Sequence, residues 1–213
     1  MATKKTMLLQ ASLVVLAAVG IKGHGYMAEP CQRSSLWRLG YPTPVNHAED
    51  GLNCGGFETQ WATNQGRCGE CGDSWAEQSP RENENGGKYG MGFIAHSYKQ
   101  GQLINVKINI TQNHMGYFEY RLCPMDGVDG LPEKPAPQEC LDKYLLKLED
   151  GNTKWMLPSN ASQVFEMKVQ LPPTLKCKSC VMQWTWITEQ LDVLRRLAKT
   201  SILCPCQMSK LAT

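Results

Sequence analysis

The feature that most constrains the fold is an unbroken alternation: Ile104, Val106, Ile108 and Ile110 are apolar, and Asn105, Lys107 and Asn109 between them are polar. A side-chain period of two belongs to a β-strand with one face in a core and the other in water. Helical spacing cannot produce it. The pattern returns in Phe118, Tyr120 and Leu122 and in Phe165, Met167, Val169 and Leu171, while residues 144–148 and 180–187 are rich in β-formers. Several short strands with no helix between them predict an all-β fold, an antiparallel sandwich closed on one core.

Residues 26–88 break this rhythm. Gly, Pro, Asn and Cys punctuate them, so they read as a long loop-rich excursion fixed by disulfides, the kind of segment that builds a binding surface on a rigid scaffold. After Ile187 the pattern changes again, with Leu191, Leu194, Leu197 and Ala198 at helical spacing, so residues 188–213 are expected to form a divergent, helical tail.

Residues 1–23 have the parts of a secretory signal: Lys4 and Lys5, an apolar run from Met7 to Val19, and Gly20 and Gly23 near a cut. The run is short for a bilayer span, and Lys22 follows it. The chain is therefore expected to be secreted, without a membrane anchor, as a single domain over residues 24–187. Ten cysteines downstream of the leader fit an oxidising compartment. Cys54, Cys68, Cys71, Cys123, Cys140, Cys177 and Cys180 are disulfide candidates. Cys123 and Cys140, flanking a Gly/Pro-rich loop, are expected to pair, and Cys204 and Cys206 to pair poorly or stay free. The spacings Cys68/Cys71 and Cys177/Cys180 would suit a zinc ribbon in a cytosolic chain, but here they are far apart in an exported one. Asn109 and Asn160 head glycosylation motifs. The net charge of +2 includes three lysines of the leader, and no basic stripe marks a nucleic-acid partner.

Cleavage between Gly23 and His24 would make His24 the first residue. Its free α-amine and its Nδ1 would then chelate one metal ion, and a second imidazole would complete a three-nitrogen site suited to copper. His114, in Asn113-His-Met-Gly116, stands at a strand end, a good ligand position, although a lone histidine there is more often an ordinary satisfied side chain. His96 lies in the apolar run from Phe93 to Tyr98 and reads as a sheet histidine; His47 reads as solvated.

The segments His24-Gly-Tyr-Met, Arg33-Ser-Ser-Leu-Trp-Arg38, Pro42-Thr-Pro-Val-Asn46, Cys54-Gly-Gly, Cys68-Gly-Glu-Cys-Gly-Asp73, Gly86-Gly-Lys-Tyr89, Asn113-His-Met-Gly-Tyr-Phe-Glu-Tyr-Arg-Leu-Cys-Pro124 and Cys177-Lys-Ser-Cys-Val-Met-Gln-Trp-Thr185 together resemble the animal lytic polysaccharide monooxygenases of auxiliary activity family fifteen. The resemblance runs from His24 to about Trp186. It implies an immunoglobulin- or fibronectin-like sandwich with a flat copper face. It also implies a monomeric enzyme that cuts crystalline chitin or cellulose oxidatively at C1 or C4, using an external electron donor and dioxygen or hydrogen peroxide. His24 and His114 match the family's metal and catalytic residues and are expected to converge at one exposed end of the sandwich; His96 and His47 match no ligand. Tyr26 is a candidate for contacting substrate, and Trp37, Trp61 and Trp75 are either platform aromatics or loop packing.

Two departures stand out. The family continues past the Gln-Trp-Thr strand through a segment bearing further cysteines and an aromatic residue axial to copper, and here no aromatic follows Trp186. That replacement puts the last strand of the sandwich in question. Gln112 also takes the place of a small residue two positions before His114. The alternative reading is therefore a non-catalytic secreted chitin- or copper-binding protein, or an inactive truncated variant.

Overall fold

The computed structural model describes residues 24–126 and 136–188 and the backbone of residues 206–212. The alternating segment is β3 (Leu103–Gln112), with Ile104, Val106, Ile108 and Ile110 buried. On one side it pairs with β1 (His24–Glu29), on the other with β7 (Val164–Gln170), which in turn pairs with β5 (Lys147–Leu148). All three pairings are antiparallel. The second sheet has the order β2 (His96–Lys99), β9 (Cys206–Ala212), β8 (Cys177–Ile187), β4 (Tyr117–Pro124), β6 (Trp155–Met156). It is antiparallel apart from the β2–β9 pair.

The two sheets face each other across one core. Phe118, Tyr120, Leu122, Met182, Trp184 and Trp186 meet Met27, Val106, Ile108, Phe165 and Val169. Phe118 is its hub, with Trp184 edge-on at 5.2 Å and Trp155 stacked at 5.4 Å between centroids. Each fully buried large side chain contributes roughly 2 kcal/mol, against less than about 1 kcal/mol for an exposed ion pair. The seam between the sheets, not the surface charge, therefore holds the fold.

β8 shows no alternation because both its faces are covered. Its inward side chains enter the sandwich, while Val181 packs outward with Cys71, Cys123, Ala136 and Leu141 in a second small core, and Gln183 Nε2 donates to Glu70 O at 2.7 Å. The excursion thus lies on the outer face of the five-stranded sheet. Its hub is the buried Arg33, which donates to Asn83 O at 2.8 Å and to Asn85 Oδ1. Asp73 accepts from Asn83 N at 3.2 Å and from Asn83 Nδ2 at 2.6 Å. Burial lowers the Arg33 pKa to about 10 and raises that of Asp73 to about 6. Cys54 is bonded to Cys68, Cys123 to Cys140 and Cys177 to Cys180, and Cys71 is also in a disulfide. Among the described residues Cys31 is a buried free thiol, its pKa raised by burial to about 11.

Several expectations from sequence need correction. The first residues of the supposed loop excursion, through Glu29, belong to β1, where Met27 plugs the core. A short helix, α1 (Gln138–Lys143), interrupts the strands; it buries Leu141 and carries Cys140 to Cys123. Residues 144–148 yield only the two-residue β5 and an isolated bridge from Leu145 to Arg121. The last strand is present after all: β9 is inserted between β2 and β8. The helical stretch expected around Leu191–Ala198 lies outside the described residues, as do the signal segment and the side chains of Cys204 and Cys206.

Candidate metal centre

The backbone register places the two histidines singled out from sequence near one corner of the four-stranded sheet. His24 opens β1 and is paired with Gln112, the last residue of β3, and His114 stands two residues further on in the β3–β4 turn. The register shifts at this corner: His24 faces Gln112 but Gly25 faces Ile110, so Thr111 is the extra residue of a bulge. Thr111 Oγ1 turns to Asp50 Oδ2 at 2.7 Å, and Gly25 N donates to Asp50 O at 3.1 Å. The long excursion is thereby tied down beside His24. A Cβ on Gly25 would stand 2.6 Å from Ile110 Cδ1 and 3.0 Å from Asn109 O, so a larger residue here would have to displace the Ile110 side chain and press on the β3 backbone behind His24.

The His114 turn is held from three directions. Asn113 Oδ1 accepts from Met115 N at 2.7 Å, and its Nδ2 donates to Ser159 O at 3.2 Å and to Ala161 O at 2.7 Å. Trp186 Nε1, from the core, donates to Met115 O at 2.9 Å. Gly116 has φ +98°, and a Cβ there would lie 1.9 Å from Ile187 O. These contacts fix the backbone that carries His114. His114 Nε2 is buried with no hydrogen-bond partner among the described residues, an arrangement that leaves a ring nitrogen uncompensated unless something else binds it.

Among the described residues, no three His, Cys, Asp or Glu side chains gather as a metal cage. Two imidazoles alone give too few donors, and a third nitrogen must come from the main chain, which the α-amine of His24 would supply once freed. The orphaned His114 Nε2 and the solvent-edge His24 Nδ1 are nitrogen donors of the kind that copper takes. One contact bears on that fit: Gln112 Oε1 lies 3.0 Å from His24 Nδ1.

The remaining candidates sit elsewhere. His96 Nε2 accepts from Cys31 N at 3.2 Å and its ring stacks on Tyr98 at 5.9 Å, with burial pushing its pKa down. His47 is exposed, edge-on to Trp37 at 5.4 Å. Tyr26 is half-buried on β1 and its hydroxyl accepts from Asn109 Nδ2 at 3.0 Å. That bond occupies the atom a glycan would use, whereas Asn160 is exposed in the loop between β6 and β7. Trp75 lines a groove with Arg121, Gln183 and Thr185 on the outer face of the five-stranded sheet, its ring beneath the guanidiniums of Arg67 and Arg81. Trp61 packs on Gly66. Sequence reasoning read the Gly116 turn but missed Asn113, Trp186 and Asp50 as supports of the corner; the Asn-x-x-Gly spelling of the turn was the available signal for Asn113.

Comparison with known proteins points the same way. A family model described as lytic polysaccharide mono-oxygenase, cellulose-degrading, matches residues 24–193. The solved structure of lytic polysaccharide monooxygenase AA15 from Thermobia domestica in the Cu(I) state superposes with a TM-score of 0.80 at 35% identity, covering 89% of this chain and 99% of that one. The AA13 family lytic polysaccharide monooxygenase A of Aspergillus terreus is 29% identical over 178 residues, 78% of this chain. The chain spans only 38% of the length of that relative. No helix among the described residues is long and apolar enough to cross a membrane.

Proposed function

Because the chain belongs to the lytic polysaccharide monooxygenase family, we propose that it is a secreted, monomeric, copper-dependent monooxygenase that cleaves glycosidic bonds of chitin, with cellulose as the alternative substrate. The observation that carries the reading is the buried, unpartnered Nε2 of His114 beside the corner where His24 begins β1. Removal of residues 1–23 would free the His24 amine. The amine, His24 Nδ1 and His114 Nε2 would then hold the metal. Copper cycling between its two oxidation states would supply the one-electron chemistry that activates dioxygen or hydrogen peroxide, with electrons from an external donor.

The protein's own part is placement. Asn113, Gly116 and Trp186 hold the His114 backbone, and Gly25 and Asp50 hold that of His24, so the donors need little reorganisation when the metal enters. The corner is open at its solvent side, where Thr111 and Gln112 are exposed, which suits approach to a solid surface. Tyr26 would border that surface on the β1 side.

A second reading has its own support: no aromatic follows Trp186, and Gln112 reaches the Nδ1 that the metal needs. On that reading the chain binds copper or chitin without turnover. The experiment compares protein beginning at His24 with protein carrying one extra N-terminal residue, by copper EPR and by mass spectrometry of products from chitin with ascorbate. The proposal expects tight one-to-one copper and oxidised oligosaccharides only from the first. Equal affinity and identical spectra would show that the free amine is no ligand. Copper binding without oxidised products would favour the non-catalytic reading.

A further inference from the structure

Gln112 lies opposite His24 in the sheet, so their side chains emerge on the same side, and the bulge at Thr111 is what brings them into register. The resulting contact is specific: Oε1 of the amide is 3.0 Å from Nδ1 of the ring. Chelation by His24 requires that same nitrogen with its lone pair free. When metal enters, Oε1 must either withdraw or join the ion.

The separation favours joining. Two donors each about 2.0–2.2 Å from one ion and at right angles stand about 3 Å apart. Oε1 lies on the lone-pair side of Nδ1, where the metal would sit, so the exposed Gln112 side chain has only to swing off that axis to become a neighbouring ligand. Residues 187–213 contain no aromatic. We propose that Gln112 is a fourth donor to copper through Oε1, adjacent to His24 Nδ1. This inference rests on the copper reading above. An uncharged oxygen donor is harder than imidazole and favours Cu(II) over Cu(I), so Gln112 holds the oxidised state more tightly.

Gln112 is at the exposed end of β3, and its replacement leaves the core untouched. The test uses protein beginning at His24 with Gln112→Ala, the similarly sized Gln112→Leu, and Gln112→Glu. Cu(II) and Cu(I) affinities are measured by chelator competition, the Cu(II) environment by EPR, and folding by thermal unfolding of the metal-free forms. Both apolar variants are expected to lose about tenfold in Cu(II) affinity, the low end of what a supporting partner of a metal site contributes. Their Cu(I) affinity should be unchanged and their EPR parameters shifted, and Gln112→Glu should bind Cu(II) at least as tightly as the unsubstituted protein. Unchanged or tighter Cu(II) binding with an unaltered spectrum in both apolar variants would overturn the inference, making Gln112 a latch that metal displaces. His114→Ala separates the two claims. If the unsubstituted protein binds copper no better than that variant, the copper reading itself falls; if it binds far better while the Gln112 variants are indifferent, only the role of Gln112 falls.

Discussion

Replacing Gly116 by Ala should damage stability and metal binding together. The added Cβ would meet Ile187 O at 1.9 Å, Thr188 Cα at 2.8 Å and Ile187 C at 2.9 Å, all at the end of β8. Carbon and oxygen not bonded to each other need well over 3 Å, so the turn must retreat by more than about 1 Å from a backbone carbonyl that cannot rotate away. The retreat stretches two bonds, Leu157 N to Gly116 O at 2.9 Å and Trp186 Nε1 to Met115 O at 2.9 Å. Two hydrogen bonds at about 1 kcal/mol each, with about 1 kcal/mol for an alanine at φ +98°, come to about 3 kcal/mol. For a domain of this size that lowers Tm by roughly 6–12 °C. His114 moves with the turn, and copper affinity should fall by about tenfold or more. Gly40→Ala is the control: its φ is +82° and a Cβ there meets nothing within 4 Å, so it should cost only the backbone term and leave copper binding alone. The assays are thermal unfolding of the metal-free proteins and Cu(II) competition. A Gly116→Ala protein that melts no earlier than Gly40→Ala and binds copper as tightly as the unsubstituted chain would refute the reasoning.

Asp73, with its pKa raised by burial to about 6, binds a proton in the fold at pH values where the unfolded carboxyl, near 4, has lost it. Its contribution to stability is thus greatest at low pH and is lost as pH rises through 6; Asp73→Asn should reduce the fall in Tm between pH 4 and 7, and an unchanged slope in differential scanning fluorimetry would count against this. Expressed in a secreting eukaryotic host, the chain should carry its glycan at Asn160 rather than Asn109, whose Nδ2 is bound to Tyr26; peptide mass spectrometry showing occupancy mainly at Asn109 would contradict it. Ending the chain at Thr188 removes β9 from between β2 and β8, and secreted soluble yield should collapse, whereas normal yield and melting would show that the strand is dispensable.

Much of the scaffold was legible because β3 and β7 each bury one face, and burial on one face writes a period of two into the residues; β4 keeps that period in Phe118, Tyr120 and Leu122 although Glu119 and Cys123 are buried on its other face. Elsewhere, where that condition fails, the pattern fails with it. β8 is covered on both faces and reads as a plain β-rich run, and β5 is too short to have a period. Helix α1 was invisible for a similar reason, since six residues with one buried leucine leave no helical stripe. The two histidines stood out through their settings, a would-be new N-terminus and a strand-end turn. Their supports did not, because Trp186 and Asp50 reach the corner through tertiary contacts separated from it by some seventy and twenty-five residues.

The tail presents the same issue in another form. Its residues depart from those expected after the Gln-Trp-Thr strand, yet β9 pairs along β8 from Cys180↔Ser209 to Gln183↔Cys206 and along β2 from His96↔Ser209 to Lys99↔Ala212. Sheet pairing is made by backbone donors and acceptors that nearly every residue supplies, and without β9 both β2 and β8 would present an open row of them. Foreign residues can therefore fill a strand. They cannot fill a position that depends on one particular side chain, such as an aromatic ring beside a metal. Hence the scaffold and the two histidines tolerate a divergent tail, and on the copper reading whatever the tail changes should fall on the positions that the three nitrogens would leave open, beside the His24 Nδ1 that Gln112 contacts.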